Sequence, residues 1–397
     1  MRKCQVGSET IRMLELGHPW VISDRCTKQW PVGEPGELIA LVDNKLNHLA
    51  TALYDPKDRI VARILDRNKF QLTERWLEKK LLQAKQLRQH AQLSETDSYR
   101  WLNGEGDGLP GVTIDRYADY LMLQLYTPAW DAHLELLTAA AQKLFQPKGI
   151  YRKLRPQETR ILEAKTRTKE YSRLIAGKPA PVPLQVKENG LNYLVDLREG
   201  LNTGLFPDQR RNRRELMGRV AGKRVLNLFA FTGAFSVVAA AAGAKKVTSI
   251  DVSAKYLNIA RENFSINRLN PKQHEFIVGD VFSELAKMQA QQRRFDVILF
   301  DPPSFSTTRK SRFSTHGGTS KLVTATLPLL ESGGLLISSS NHQKVSMDDY
   351  LKELRRGALQ SGDGLKTIFT SGQPEDFPCL VSFPEGRYLK FVISVKQ

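Results

Sequence analysis

Three aspartates close short apolar runs with β character: Lys246-Val-Thr-Ser-Ile-Asp251, Phe276-Ile-Val-Gly-Asp280 and Phe295-Asp-Val-Ile-Leu-Phe-Asp301. In a doubly wound sheet, ligands sit outside the carboxyl ends of the strands, so these three carboxylates would converge on one crevice. Asp251 is placed where a carboxylate accepts from both hydroxyls of a ribose. The bland alternative, a helix cap at a strand exit, suits any one of the three. It suits Asp301-Pro-Pro-Ser-Phe305 poorly, because two prolines hold the chain extended and leave the Asp301 and Pro302 carbonyls few local donors.

The element that must position these acids lies upstream, in Val225-Leu-Asn-Leu-Phe-Ala-Phe-Thr-Gly-Ala-Phe235. Its first half reads as a strand, the chain turns at Thr232 and Gly233, and Phe235–Ala242 is alanine-rich and helix-prone. A glycine at such a turn lets backbone approach a ligand closely, and the N–H groups opening the helix favour anionic or polar ligand groups. The fitting guest is a cofactor containing a nucleoside. The dinucleotide fingerprint G-x-G-x-x-G is missing, which counts against NAD.

Composition sets the outer limits. The 397 residues suffice for two or three domains, and 59 Lys and Arg against 42 Asp and Glu give a formal charge of +17. Such an excess suits a polyanionic partner, since phosphate contacts release counterions. The three cysteines, Cys4, Cys26 and Cys379, are scattered and have no metal-ligand spacing, so neither a disulfide framework nor a bound metal is expected. No apolar run reaches spanning length and the start lacks the apolar segment of a signal peptide, so a cytoplasmic protein is expected. The assembly state is open, a homodimer included.

Taken in order, residues 1–73 read as a small β-rich unit, with strands at Glu37–Val42, Ala50–Tyr54 and Ile60–Leu65. Residues 74–185 read as a second, α+β unit that links it to the rest. It opens on a helix over Thr73–Leu93 with Leu77, Leu81, Ala84 and Leu87 on one face. The acid-and-glycine stretch Gly104–Gly111 does not match an EF-hand register and reads as structural turns. Between Tyr151 and Lys178 there are nine Lys and Arg against three Glu. That run is either a solvated linker or an RNA-facing arm, with Lys153 and Arg155 as candidate contacts. Residues 186–397 form the site-bearing unit, opening on a hairpin strand at Leu191–Asp196. Asp208-Gln-Arg-Arg-Asn-Arg-Arg214 is a run of the kind usually found on a surface, yet it precedes the cofactor strand, and Arg210 is a candidate for a carboxylate or phosphate near the site.

The order Asn227-Leu-Phe-Ala-Phe-Thr-Gly233, Asp251, Gly279-Asp280 and Asp301-Pro-Pro-Ser-Phe305 resembles class I S-adenosylmethionine (SAM)-dependent methyltransferases. More narrowly, it is similar to bacterial 23S ribosomal RNA methyltransferases that carry an N-terminal PUA domain, whose best-known members make 5-methylcytosine. His18–Ser23, Gly104–Arg116, Thr203–Arg210 and Pro384–Lys390 extend that resemblance over nearly the whole chain. It implies an α/β fold: a Rossmann-like catalytic domain preceded by a small β-barrel-like PUA domain and an α+β linking domain. It further implies that Asp251 binds the ribose, Asp280 the adenine amino group, and Asn227, Phe229, Thr232 and Gly233 the methionine portion. Asp301, Pro302 and Pro303 would line the acceptor side, with Phe305 stacking on a flipped base.

The pattern breaks at one place. Cytosine C5 needs a thiolate added at C6 before it attacks a methyl group. The cytosine-modifying relatives carry that cysteine after the fifth strand, where this chain has Leu336-Ile-Ser-Ser-Ser-Asn341. Asn341 there resembles the guanine-N7 methyltransferases and favours a purine ring nitrogen as acceptor. The alternatives are a displaced nucleophile, Cys379, acting on cytosine, and a non-catalytic RNA-binding assembly factor.

Overall fold

The computed structural model describes residues 1–154, 158, 170–303, 305–307 and 312–397, with the backbone alone for 305–307 and 312–317. The chain divides into two compact units. The first holds Met1–Leu184, Asp196–Thr203 and Glu375–Gly386; the second holds Gln185–Val195, Gly204–Pro374 and Arg387–Gln397.

Within the first unit, β1 (Arg2–Gln5), α1 (Ser8–Glu15), β2 (Trp20–Ile22), β3 (Leu38–Val42), β4 (His48–Tyr54) and β5 (Ile60–Asp66) come first. The five strands form a sheet of order β1-β3-β4-β5-β2, over a core that includes Leu14, Val21, Ile39 and Leu41. Then follow α2 (Glu74–Leu87), β6 (Ser98–Asn103), β7 (Val112–Tyr117), β8 (Tyr120–Leu125), α3 (Leu134–Phe145), β9 (Gly149–Lys153) and β10 (Ser172–Gly177). Their sheet runs β10-β9-β8-β7-β6. Thr73 caps α2 by accepting from the Trp76 amide, and Leu77, Leu81 and Ala84 are buried on the face that periodicity marks. The acids near the Gly104 turn are spent on pairing. Asp107 takes two bonds from Arg88 at 2.6 and 2.8 Å, Asp115 pairs with Arg100 at 2.5 Å, and Glu105 accepts from the Trp20 indole at 2.8 Å.

The second unit opens with a hairpin, β11 (Leu184–Glu188) and β12 (Leu191–Val195), and continues with α4 (Arg210–Met217), β13 (Arg224–Leu228), α5 (Ala234–Ala241), β14 (Lys246–Asp251), α6 (Ala254–Ile266), β15 (Glu275–Val278), α7 (Val281–Ala290) and β16 (Phe295–Phe300). A short ribbon, β17 (Phe305–Thr307) with β18 (Arg312–Ser314), leads into α8 (Thr315–Thr326), β19 (Leu330–Ser340), α9 (Met347–Ser361), β20 (Leu365–Ser371) and β21 (Lys390–Lys396). Seven strands form one sheet, β15-β14-β13-β16-β19-β21-β20. The first five are parallel and β21 runs antiparallel to both neighbours. Strand order therefore reverses between β13 and β16, and a crevice opens at their carboxyl ends. Leu226, Leu228, Ile298, Phe300 and Leu336 of β13, β16 and β19 belong to one apolar core with residues of α7, α8 and α9.

Candidate active site

The turn after β13 is tighter than the glycine at 233 announces. Phe229 and Phe231 also hold positive φ angles, 57° and 51°, alternating with ordinary backbone up to Gly233 at 76°. Left-handed backbone in a bulky residue costs roughly 1–3 kcal/mol and persists only where the surroundings hold it. The restraint is Asp251. Its Oδ2 accepts from the Phe231 amide at 2.9 Å, and its Oδ1 from the Ser253 amide at 2.9 Å. Each oxygen keeps a lone pair for a ligand hydroxyl. Burial raises the Asp251 pKa against the pull of these amides.

Gly233 is needed for packing as well as for conformation, because a Cβ there would stand 2.7 Å from the Ala260 Cβ on α6. From the same helix Asn263 donates to the Thr232 carbonyl and accepts from the Leu194 amide, tying the turn to the hairpin. Thr232 is buried and donates through Oγ1 to the Gly204 carbonyl at 2.5 Å.

A cleft with about 60 Å³ of enclosed space lies over this turn; Asn227, Phe229, Thr232, Gln209, Arg213 and Asp301 are among its walls. So the structure brings four of the expected residues, Asn227, Phe229, Thr232 and Asp301, to one place. Asn227 acts there through its position, since its amide already donates to Ser236 at 2.9 Å. Asp280 is not a wall of this cleft: its Oδ1 accepts from the Ser283 amide and hydroxyl, as the N-cap of α7.

Asp301 stands at the end of β16 with intermediate exposure. The Gln209 amide donates to its Oδ2 at 3.0 Å and to the Ser339 hydroxyl at 2.8 Å. Gln209 is itself aimed by Asn212, which donates to its Oε1 at 2.6 Å, and Ser371 donates to Asn212. Burial lifts the Asp301 pKa to about 6; hydrogen bonds from Ser339 and Gln209 and the Arg213 charge resist the rise, and the Asp208 charge adds to it. Pro302 is buried and Pro303 exposed. Phe305 begins β17, and its side chain lies outside the described residues.

Gln209 and Arg213 were not singled out from the sequence. The run 208–214 is far from a plain surface patch: Arg210 is 1% and Arg213 2% exposed. Arg213 donates twice to Glu188 of β11 at 2.6 Å and to the Phe206 carbonyl at 2.7 Å, and its guanidinium lies over the Phe235 ring. The available signal was their place inside the Thr203–Arg214 stretch, directly before the cofactor strand.

The expected RNA contacts fare differently. Lys153 is buried, 6% exposed, and donates to the Gly200 carbonyl at 2.6 Å; burial lowers its pKa to about 8. Neither it nor the buried Arg210 offers an open cationic surface. Arg155 lies outside the described residues.

Asn341 is exposed in the loop after β19. That loop is held by Lys390, paired across the strands with Ser340, which donates to the carbonyls of His342 at 2.6 Å and Tyr388 at 2.7 Å. The Tyr388 hydroxyl in turn donates to Asp208 at 2.8 Å. Cys379 belongs to the first unit, where its thiol donates to the Phe377 carbonyl at 3.7 Å.

The left-handed turn under a cleft at the strand ends, with the ribose-type carboxylate fixed beside it, fits a sulfonium nucleoside. The comparisons agree. The profile of the S-adenosylmethionine-dependent methyltransferase family matches residues 109–381, and that of a PUA-like domain matches residues 5–67. The ribosomal RNA large subunit methyltransferase I of Klebsiella pneumoniae is 35% identical over 380 residues, covering 94% of this chain and 93% of that one. The protein of the same name from Yersinia pseudotuberculosis is 34% identical over 379 residues, with 94% of each covered. Among solved structures, SMU.776 complexed with SAH aligns over the whole of both chains at 30% identity, with a TM-score of 0.89. The chain belongs to the S-adenosylmethionine-dependent methyltransferases: it is an enzyme with a PUA-like domain near its start, a Rossmann-like catalytic sheet and S-adenosylmethionine as its cofactor.

Proposed function

We propose that the enzyme methylates a base of 23S ribosomal RNA in the cytoplasm, on the free RNA or in a precursor particle, and that the acceptor is a ring nitrogen of a purine. The RNA substrate is supported by the names of the relatives, by the PUA-like domain and by the charge of +17. The ring-nitrogen assignment is carried by one observation: the unit that holds the cleft contains no cysteine, since Cys4, Cys26 and Cys379 all belong to the first unit. Asn341 stands where a thiolate nucleophile is expected, and an amide adds to no pyrimidine ring. A ring nitrogen has its own lone pair and needs orientation only.

Bound S-adenosylmethionine supplies an electrophilic methyl group on a positively charged sulfur. Asp251 holds hydroxyls of the nucleoside, and the Phe229–Gly233 turn brings backbone close enough to exclude water. Asp301, aimed by Gln209, fixes the acceptor base from the β16 side, and Asn341 reads the base edge from the β19 side. Orientation of this kind can supply about 7–11 kcal/mol of a bimolecular barrier.

The test is transfer of tritiated methyl groups to 23S RNA from a strain lacking the protein, followed by nucleoside analysis of the product. A methylated purine is expected; 5-methylcytidine overturns the nitrogen assignment, and no transfer overturns the RNA substrate. Asn341→Ala is expected to lower transfer at least tenfold with SAM affinity unchanged. An unchanged rate removes Asn341 from the site.

A further inference from the structure

A second cavity in the catalytic unit is unused by this chemistry. It encloses about 240 Å³ between Thr319 of α8, the loop after β19 and the first turns of α9, and shares no described wall residue with the cofactor cleft. At roughly 30 Å³ per water it is far larger than a solvent molecule or an ion requires. Ser340, the residue before Asn341, forms one wall, so the cavity adjoins the acceptor side.

Its chemistry is mixed in a specific way. Val345 and Tyr350 give an apolar and aromatic wall, and Tyr350 is 1% exposed. Oε2 of Glu353, which also lines the cavity, has no hydrogen-bond partner among the described residues. Buried polar atoms are normally paired, and an unpaired carboxylate oxygen on a cavity wall is open to a donor brought by a ligand. Lys344, Lys352 and Arg356 stand at the rim. Lys344 makes no ion pair among the described residues, and Lys352 and Arg356 keep 60% and 57% of their side chains exposed while touching Asp349 and Glu353.

We propose that this cavity binds a ribonucleotide of the substrate RNA next to the methylated one: its base lies against Tyr350 and Val345, an N–H of the base donates to Glu353, and its phosphate meets the rim cations. A planar ring fits an aromatic wall, base N–H groups fit an unpartnered carboxylate oxygen, and exposed cations fit a phosphate that remains at the mouth. The site would therefore read the sequence around the target base while the cofactor cleft handles the methyl donor. This rests on the RNA reading above.

The experiment uses the whole 397-residue chain and four probes, AMP, CMP, GMP and UMP, titrated by ligand-observed NMR into wild type and into Glu353→Gln, Lys344→Glu and Val345→Trp variants. At least one probe is expected to bind wild type and to bind each variant about tenfold or more weakly, the loss typical of one bond to a charged group. The same variants are expected to raise the KM for 23S RNA by a similar factor while SAM affinity stays unchanged, which also shows that they are folded. No binding by any probe, or equal binding by wild type and variants, overturns the proposal. Variant-sensitive binding with an unaltered KM for RNA assigns the cavity to a free nucleotide and overturns its RNA role. Variant-sensitive binding in a wild-type protein that transfers nothing to 23S RNA upholds the nucleotide site and overturns the proposed substrate instead.

Discussion

The side-chain amide of Gln209 lies 3.0 Å from Oδ2 of Asp301 and, with its other hydrogen, reaches the Ser339 hydroxyl at 2.8 Å. One residue thus joins the ends of the two adjacent strands, β16 and β19, that border the acceptor side. The join is directional, because Asn212 occupies the amide oxygen and leaves only the nitrogen to face the acid.

Replacement of Gln209 by Leu removes both bonds at similar volume. A bond to a charged group is worth about 1.5–3 kcal/mol, so kcat is expected to fall roughly tenfold to a hundredfold. SAM affinity should fall less than kcat, because Gln209 is one wall of the cleft while Asp251 and the turn are untouched. Steady-state kinetics with RNA and SAM varied separately checks this; an unaltered kcat would mean that the amide does not aim Asp301.

Asp301 carries a pH prediction. Its folded-state pKa lies near 6, above the ordinary 3.8, so the folded chain binds this proton more tightly than the unfolded chain. This group's contribution to stability is therefore greatest below pH 3.8 and falls as pH rises from 3.8 to 6, with no further change above. If the ionised form holds the acceptor, kcat/KM rises with pH through an apparent pKa near 6. Asp301→Asn should abolish that limb along with most activity, and should melt no lower than wild type at pH 8. A melting temperature well below wild type there would contradict the assignment.

The glycine at 233 is subject to two separate constraints. Gly233→Ala meets the left-handed backbone, roughly 1–3 kcal/mol, and a contact at 2.7 Å with the Ala260 Cβ. Adding Ala260→Gly relieves the second constraint only. The double variant should recover part of the lost thermal stability and of the SAM affinity measured by calorimetry, and full recovery would show that the conformation carries no cost.

The buried pair of Arg213 and Glu188 predicts an asymmetry. Arg213→Met alone strands a carboxylate that is 1% exposed and is expected to lower stability by about 3–5 kcal/mol. Glu188→Leu combined with Arg213→Met should recover most of that loss. Urea unfolding of the wild type and the two variants measures it.

Much of this was legible beforehand because hydrophobic runs have short-range causes. The strand ending at Asp251 has the limits that its apolar pattern marks, and the helix after Gly233 begins within one residue of its expected start. What stayed hidden depends on partners distant in sequence. Arg213 reads as surface until Glu188, on a hairpin strand 25 residues earlier, is known to lie beside it. The left-handed phenylalanines need the Asp251 carboxylate to hold an amide 20 residues away. Lys153 sits in a basic run of the kind that suggests solvent, but its strand is paired on both sides and its ammonium reaches Gly200. Charge runs report composition; burial is decided by the sheet.

Strand β21, residues 390–396, enters the sheet between β19 and β20, both made earlier. During synthesis the facing edges of β19 and β20 therefore have no partner until β21 itself has been made. Loss of β21 would take out an interior rung of the sheet and Lys390 with it, so a chain cut before residue 390 should be as damaged as one lacking a central strand.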